Sequence, residues 1–508
     1  MSSIAKIKLI RHWIYCLVIF IIFPCFVNGS DKNADTGLDI LAVVGDRIIT
    51  SQDFIRRAEY SIRPLYCRQS NYIHKKIILN SLIAEKLFAI EAEKAKVDLL
   101  DNVRFQSFVR GRSEQSMRQL LYYGEFYQKV ELDSANVYSA NKLAGRTVEL
   151  SYINLPDPNS AIKIKNLVEG GLSLDSIYTT LWNQRDAPKK SVNWFDKEAV
   201  NLHKAIFNTS ITKGSIIGPF QTDDGSVLLM QVNGWTDRPA VTPTEKTQRM
   251  ADVRERLTEN DADQTYKDWV KNLMTGKQLE LNEMVFPAYA NRVMDIYMKP
   301  DSLKQAQFSE SLWADPELDF IRDSLINEPL ESFTEMDILF HVDNVPWTIE
   351  KFHKELEKHP LVFRKRKMGR SEFQQQLMFA IADLVRDIEI TDQCYEKGYV
   401  QSLPVMLNRD LWHDSSIARY YRNILLEEKN ISGDNPEQTA KKLNPIVDSL
   451  QAVYSDQIEI NTDLFETIEL TNVDMTVIQQ GVPFPKIVPP FPVFTSDHKL
   501  DYGQKKEF

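Results

Sequence analysis

Cysteine is scarce in this chain of 508 residues. Only four cysteines occur, and two of them, Cys67 and Cys394, lie beyond the first thirty residues. Two cysteines in so long a chain exclude a disulfide framework and a cysteine-based metal cluster. The eight histidines show no metal-ligand spacing, and His203 and His341 are interpreted as ordinary surface or core residues. We therefore expect no metal site.

Several catalytic motifs are missing from the sequence. It has no Gly-rich phosphate loop, no nucleophile elbow and no HExxH motif. We expect no cofactor. The net charge of -10 is spread along the chain and is not confined to a tail. Because phosphate binding needs a clustered basic face, we expect no nucleic-acid partner.

The N-terminus has the pattern of an export signal. Lys6, Lys8 and Arg11 precede an apolar stretch at 13–23 that is too short for a good membrane span. A small-residue site at 27–29 predicts a signal peptide at 1–29 and export to the periplasm. Lipid attachment at Cys25, which would anchor the protein to the envelope, is the alternative, and an uncleaved anchor is a third. No later segment is apolar enough to span a membrane.

One pattern occurs twice in the chain. The sequence VVGDRIITSQDF at 43–54 resembles VDNVPWTIEKF at 342–352, and each predicts a strand and turn leading into helix. A long amphipathic helix follows in both copies and ends in a basic turn, EAEKAKV at 91–97 and CYEKGYV at 394–400. The repeat predicts a duplicated, mostly helical frame.

A block with a different pattern interrupts only the first copy. Residues 148–155 alternate as a strand, 159–169 predict a helix closed by two glycines, and strands are expected at 218–222 and 227–232. The expected order β-α-α-α-β-β is typical of a small α+β domain with an antiparallel sheet.

The predicted fold class is α+β multidomain, with the frame present twice and the inserted domain once. The proline-rich stretch VPFPKIVPPFPVF at 482–494 predicts an extended or disordered tail. The predicted divisions are a signal peptide (1–29), an N-terminal frame (38–140), the inserted domain (145–237), a helix and strand completing the first frame (243–286), a connector (287–337), the second frame (338–470) and the tail (471–508).

These residues carry a resemblance to a known family. The export signal, the strand-plus-helices frame and the inserted block resemble SurA/PrsA-type exported foldases, in which a chaperone region accompanies a parvulin-type prolyl isomerase domain. The resemblance covers roughly 39–286, and the second copy repeats only the frame. Its most specific stretch is KAIFNTSITKGSIIGPFQTDDGSVLLMQV at 204–232, with RTVELSYINL at 146–155 as the matching first strand.

The resemblance implies an apolar cup for a proline ring above a histidine-centred polar network. The family's Ser-His-Ile pattern falls on Ser151-Tyr152-Ile153, so tyrosine replaces histidine, and the closing-strand histidine falls near Leu228. Phe207 is the best match to the proline-contacting aromatic. The candidate catalytic residues are thus Ser151, Tyr152 and Phe207, and the candidate substrate-binding residues are Trp194, Phe195, Leu202, Phe207 and Leu228. Tyr152 would act as a hydroxyl donor or simply pack.

The resemblance implies a periplasmic chaperone for unfolded or extended polypeptides, including outer-membrane proteins, with weak or absent isomerase activity. An active prolyl isomerase and a non-enzymatic envelope scaffold are the alternatives, and a homodimer is left open. Tyrosine-rich stripes at 122–126 and 420–421 are interpreted as packing between helices, with a client-binding groove as the alternative.

Overall fold

The computed structural model describes residues 39–183, 186–196, 198–222, 225–297, 333–365, 368–431, 433, 435–471 and 473–506. The predicted signal peptide, the alternative lipid site at Cys25 and most of the predicted connector lie outside them. The fold combines helices with small, mainly antiparallel sheets, so the α+β prediction is correct at this level. Among the described residues, no helix is long and apolar enough to cross a membrane.

The first copy starts with a β-hairpin and continues as three helices. These are β1 (Ile40–Val44), β2 (Arg47–Thr50), α1 (Ser51–Glu59), α2 (Tyr72–Ala95) and α3 (Val103–Tyr122). Gly45 turns the hairpin with a φ of 62°, a left-handed conformation that glycine adopts without strain. Thr50 begins α1 by accepting a hydrogen bond from the Asp53 amide.

The second copy repeats this order. It consists of β8 (Ile338–Val342), β9 (Val345–Thr348), α10 (Ile349–Lys358), α11 (Arg370–Glu396) and α12 (Leu403–Glu428). Thr348 caps α10 by accepting a hydrogen bond from the Lys351 amide, as Thr50 caps α1. The repeat predicted from the sequence is therefore present in the order of the elements.

The inserted domain lies between α4 (Ser134–Leu143) and α8 (Pro243–Leu273). Its elements are β3 (Arg146–Leu155), α5 (Pro158–Glu169), α6 (Leu174–Trp182), β4 (Lys189–Asn193), α7 (Val200–Ile206), β5 (Ile216–Gln221) and β6 (Val227–Asp237). They form an antiparallel sheet in the order β4-β3-β6-β5. The sequence analysis missed β4, because Val192 is its only buried residue and no alternation marks it as a strand.

The two copies exchange their closing strands. Helix α8 leads into β7 (Leu279–Leu281), which pairs with β8 of the second copy. Helix α13 (Pro436–Val453) leads into β10 (Ile458–Ile460), which pairs with β1 of the first copy. The prediction that 243–286 completes the first frame is therefore wrong, since the edge of β1 is taken by β10.

The long helices are exchanged in the same way. Helix α12 packs along α2 of the first copy, where Lys86 Nζ lies 2.8 Å from Asp414 Oδ2. Helix α3 packs against α12 and also against α10 and α11 of the second copy, where Arg118 donates a hydrogen bond of 2.7 Å to the Thr391 hydroxyl. We call β1, β2, β10, α1, α2, α12 and α13 the first unit, and β7 to β9, α3, α9 (Val285–Tyr297), α10 and α11 the second unit.

The C-terminal tail is extended and packed. After α14 (Thr462–Thr467), residues 473–506 cross the first unit, and β11 (Gln504–Lys505) pairs in parallel with β10. Phe484, Phe491 and Phe494 are buried in hydrophobic clusters with residues of the frame, and Val488 is buried as well. The alternative of a disordered tail is wrong for these residues. Proline prevents regular structure there, but side chains of the frame bind the free carbonyl groups, as when Arg57 donates to the Pro490 carbonyl at 2.9 Å.

Candidate binding sites

Strand β3 separates two of the predicted catalytic residues. Successive side chains of a strand point to opposite faces of the sheet. Tyr152 is half-buried and packs in the cluster that contains Trp194 and Phe207. Ser151 is buried on the face of the sheet that carries Ile153, two residues along the strand. Its hydroxyl accepts a hydrogen bond of 2.9 Å from the Asn233 side chain. Ser151 therefore does not join Tyr152 and Phe207 in one site.

A compact aromatic cluster occupies the other face of this sheet. The ring centroids of Trp194 and Phe207 are 5.1 Å apart, and His203 lies 4.5 Å from Trp194 and 4.8 Å from Phe207. The His203 Nε2 atom lies 2.8 Å from the Trp194 carbonyl oxygen. Burial lowers the pKa of His203 to about 4, so its imidazole is neutral near pH 7. The interpretation of His203 as a core residue is correct.

The residues predicted to form the proline cup are mostly packed. Trp194, Leu202 and Phe207 are buried in a cluster that also includes Val253 of α8. Leu228 is half-buried at its edge, and Phe195 is 40% exposed. The structure therefore brings Tyr152, Trp194, Leu202, Phe207 and Leu228 together as core. Their predicted roles in substrate binding stay predictions.

The tyrosine stripes pack between helices. Tyr122 is buried and donates a hydrogen bond of 2.5 Å to Asp263 Oδ1. Phe126 lies 5.0 Å from the ring of Tyr266, centroid to centroid. Tyr420 and Tyr421 are half-buried against the core of the first unit. The interpretation as core packing is confirmed for Tyr122 and Phe126, and Tyr420 and Tyr421 also pack against a core.

A groove opens instead on the first unit, between the β1–β2 turn, α1, α2 and α12. Its volume is about 480 Å³. Its apolar lining includes Leu82 and Val109 together with Leu403, Met406 and Leu407 from the first turns of α12. Sequence analysis missed this groove, because its walls come from both copies and no local pattern joins them.

At the corresponding place in the second unit two helices are in close contact. There α10 packs against α3, and the Lys358 carbonyl oxygen comes so close to Gly111 that an added Cβ would lie 1.9 Å from it. Gly111 is the ninth residue of α3, and the ninth residue of α12 is Leu411, which lines the groove. The two equivalent helix positions thus differ, with glycine in close contact with α10 in one copy and a groove-lining leucine in the other.

No family model matches this chain, and a search of curated proteins gives no match.

Buried ion pairs form one wall of the groove. Arg47 lies 2.7 Å from a Glu93 oxygen and 3.3 Å from Asp414 Oδ1, and Lys86 contacts the second oxygen of Asp414. Burial by itself would raise the pKa of Asp414, but Lys86, His413 and Arg47 together hold it well below its usual value. Asp414 is therefore ionised throughout the physiological range.

Three of these side chains have the spacing of a metal site. One ligand atom each of Glu93, His413 and Asp414 lies within 4.8 Å of the others. However, the Arg47 guanidinium and the Lys86 ammonium already neutralise the two carboxylates. A divalent cation would have to displace both. We therefore interpret the cluster as an ion-pair network, not as a metal centre.

Proposed function

We propose that this protein is an exported chaperone that holds unfolded or extended polypeptides, including outer-membrane proteins, in the periplasm. The observation that supports this most directly is the exposure of large apolar side chains in two short stretches of the chain. Contiguous apolar surface is unusual on a protein that acts alone, and it marks sites of protein interaction.

The first stretch joins α1 to α2. It exposes Ile62, Leu65, Tyr72 and Ile73, and Leu65 reaches 75% exposure. The tail adds exposed Met475 beside it, since the Met475 amide donates a hydrogen bond to the Glu59 carbonyl at the end of α1. A polypeptide with exposed apolar side chains would bury them on this surface at a gain of about 25 cal/mol per Å² of apolar area.

The second stretch covers α5 and α6 of the inserted domain. Ile162, Leu167, Leu172, Leu181 and Trp182 are exposed there, with Leu181 at 55%. Tyr178 and Trp182 stack with their ring centroids 4.9 Å apart. Aromatic rings bind varied apolar partners at a low cost in conformational entropy. The inserted domain thus offers a binding surface on helices that lie away from the aromatic cluster.

The isomerase alternative has weaker support. Rotation about an X-Pro bond has a barrier of about 18–20 kcal/mol, and an enzyme lowers it by binding the twisted amide more tightly than the planar one. Such binding needs an open cup, but Trp194, Leu202 and Phe207 are buried among themselves. We therefore propose that the parvulin-like domain binds extended segments with little or no catalysis.

An aggregation assay tests the proposal. The purified protein should suppress aggregation of an unfolded outer-membrane protein, and the variant Leu65→Asp/Ile73→Asp should suppress it less. Met284→Asp is a matched control, because Met284 is exposed but lies outside both stretches. If the wild-type protein fails to suppress aggregation, the scaffold alternative replaces the chaperone proposal.

Two further measurements test the alternatives. A proline-peptide assay should give little or no rate enhancement. An enhancement that Phe207→Ala abolishes would show an active isomerase. Mass spectrometry of the mature N-terminus should place cleavage after Gly29, whereas a lipid on Cys25 would show an envelope anchor.

A further inference from the structure

We propose that the groove on the first unit is a selective binding site for extended polypeptide segments in which apolar residues flank a lysine or arginine. This inference rests on the proposed function, because it names which client segments the chaperone binds there. It is carried by the charges and the apolar lining of the groove, and by the difference between Gly111 and Leu411 at equivalent helix positions.

The lining is acidic overall. It contains six carboxylates, from Asp46, Asp53, Glu85, Glu93, Asp410 and Asp414, and four permanently charged cations, from Arg47, Arg57, Lys86 and Arg409. Leaving His413 out of the count, the lining carries two more carboxylates than lysine and arginine side chains. A bound cation from a ligand would reduce the repulsion among these carboxylates.

The existing cations are already shared. Arg57 binds both oxygens of Glu85 at 2.9 Å and is fully buried. Arg47 is shared among Asp46, Glu93 and Asp414. Asp53 makes no ion pair with any residue that the structure describes, and one of its oxygens accepts a hydrogen bond from the Thr50 hydroxyl. Asp53 is therefore the carboxylate best placed to bind a lysine or arginine of the ligand, and the half-exposed Glu93 would have to share Arg47 with it.

The apolar wall explains why the ligand is a polypeptide segment and not a free cation. Met406 and Leu407 are half-buried, and Leu403 is 45% exposed at the start of α12. Methionine is flexible and polarisable, so it adapts to side chains of different shapes. Leucine or valine residues on either side of the ligand's basic residue would cover this wall.

Comparison of the two units supports a binding role for this space. In the second unit α10 lies directly against α3 at Gly111. In the first unit the large Leu411 occupies that helix position, and the groove stays open beside charged residues of α1 and α2. The open groove is therefore a local difference between two copies of one frame.

A pair of labelled peptides tests the inference. One is an unstructured peptide with leucines on both sides of a lysine, and its twin has glutamate in place of the lysine. We expect the full-length protein to bind the lysine peptide about tenfold more tightly, since each partly exposed ion pair contributes up to ~1 kcal/mol. Fluorescence anisotropy at low ionic strength measures both affinities.

Two variants locate the site. Asp53→Asn/Glu93→Gln removes two charges from the groove and should make the two peptides bind alike. Asp268→Asn/Glu335→Gln removes two charges elsewhere and should keep the preference, because Asp268 and Glu335 are exposed outside the groove. A photo-crosslinking amino acid at position 403, in an otherwise unchanged protein, should capture the lysine peptide even if a charge variant folds poorly.

The outcomes separate this inference from the proposed function. If the protein suppresses aggregation but binds both peptides equally, or if position 403 captures neither peptide, the groove inference is wrong and the chaperone proposal stands. If the protein neither suppresses aggregation nor binds either peptide, both are wrong. The inference is supported if Asp53→Asn/Glu93→Gln binds the two peptides equally while Asp268→Asn/Glu335→Gln still prefers the lysine peptide.

Discussion

The substitution Gly111→Ala tests the exchange of helices between the two copies. Gly111 lies on α3 of the first copy, and the Lys358 carbonyl that faces it ends α10 of the second copy. A Cβ at position 111 would lie 1.9 Å from this oxygen and 2.8 Å from the Phe484 ring. The contact exists only if α3 and α10 pack in one unit.

The expected cost follows from these distances. A carbon atom normally stays about 3.3 Å or more from a carbonyl oxygen, so the backbone of α10 or α3 would have to move by more than an ångström. Overpacking of this kind costs about 1–3 kcal/mol. Replacing glycine by alanine inside a helix returns about 1 kcal/mol through helix propensity. The obstacle is backbone that cannot rotate away, so we take the upper end of the overpacking range, about 3 kcal/mol, and expect a net loss of about 2 kcal/mol.

Gly124→Ala is the matched control. Gly124 lies in the π-helical turn at Tyr123–Tyr127 that continues α3, and an added Cβ would meet nothing within 4 Å. This variant should be as stable as the wild type or slightly more stable. Urea unfolding followed by tryptophan fluorescence measures both variants. Equal stability of Gly111→Ala and Gly124→Ala would refute the packing of α10 on α3, and the exchanged arrangement with it.

Three further predictions concern stability. Phe494→Ala should lower the free energy of unfolding by about 3–5 kcal/mol because Phe494 is fully buried. The control Val453→Ala, at a 71% exposed position, should change it little. Equal urea midpoints of these two variants would contradict the packing of the tail. Burial raises the pKa of Asp263 to about 6, although the hydrogen bond from Tyr122 opposes the shift. Between about pH 4 and 6 the native state therefore binds more protons than the unfolded chain, so the free energy of unfolding should fall as the pH rises. Asp263→Asn should remove this pH dependence. The lowered pKa of His203 gives a pH dependence of opposite sign, because the free energy of unfolding falls as the pH falls from about 6.5 to 4. An NMR titration in which His203 titrates near 6.5 would contradict its burial.

The local features of the frame could be predicted from the sequence. The alternation in β1 and β2 and the glycine at position 45 predict the first hairpin, and the basic turns at 91–97 and 394–400 mark where α2 and α11 end. These features depend on residues close together in the chain. The small antiparallel sheet of the inserted domain was expected for the same reason, except for β4, which buries only one side chain.

The candidate sites could not be predicted in this way. The residues chosen for a proline cup are apolar and close in sequence, but the same apolar character lets them pack against each other and against α8. The prolines of the tail exclude helix, so the sequence predicts an extended or disordered segment. Its burial depends on arginines far away in the chain, such as Arg57 and Arg422, which donate to its carbonyl groups.

The sequence by itself determined that the frame occurs twice and that one copy carries an insertion, because hydrophobic periodicity, caps and turns act over a few residues. Only the tertiary structure decided which strand completes which sheet. The closing strands Leu279-Glu280-Leu281 and Ile458-Glu459-Ile460 have the same pattern of apolar and charged residues. Either could pair with β1 or β8 through main-chain hydrogen bonds. The choice depends on how the long helices pack, and that packing also forms the groove on the first unit.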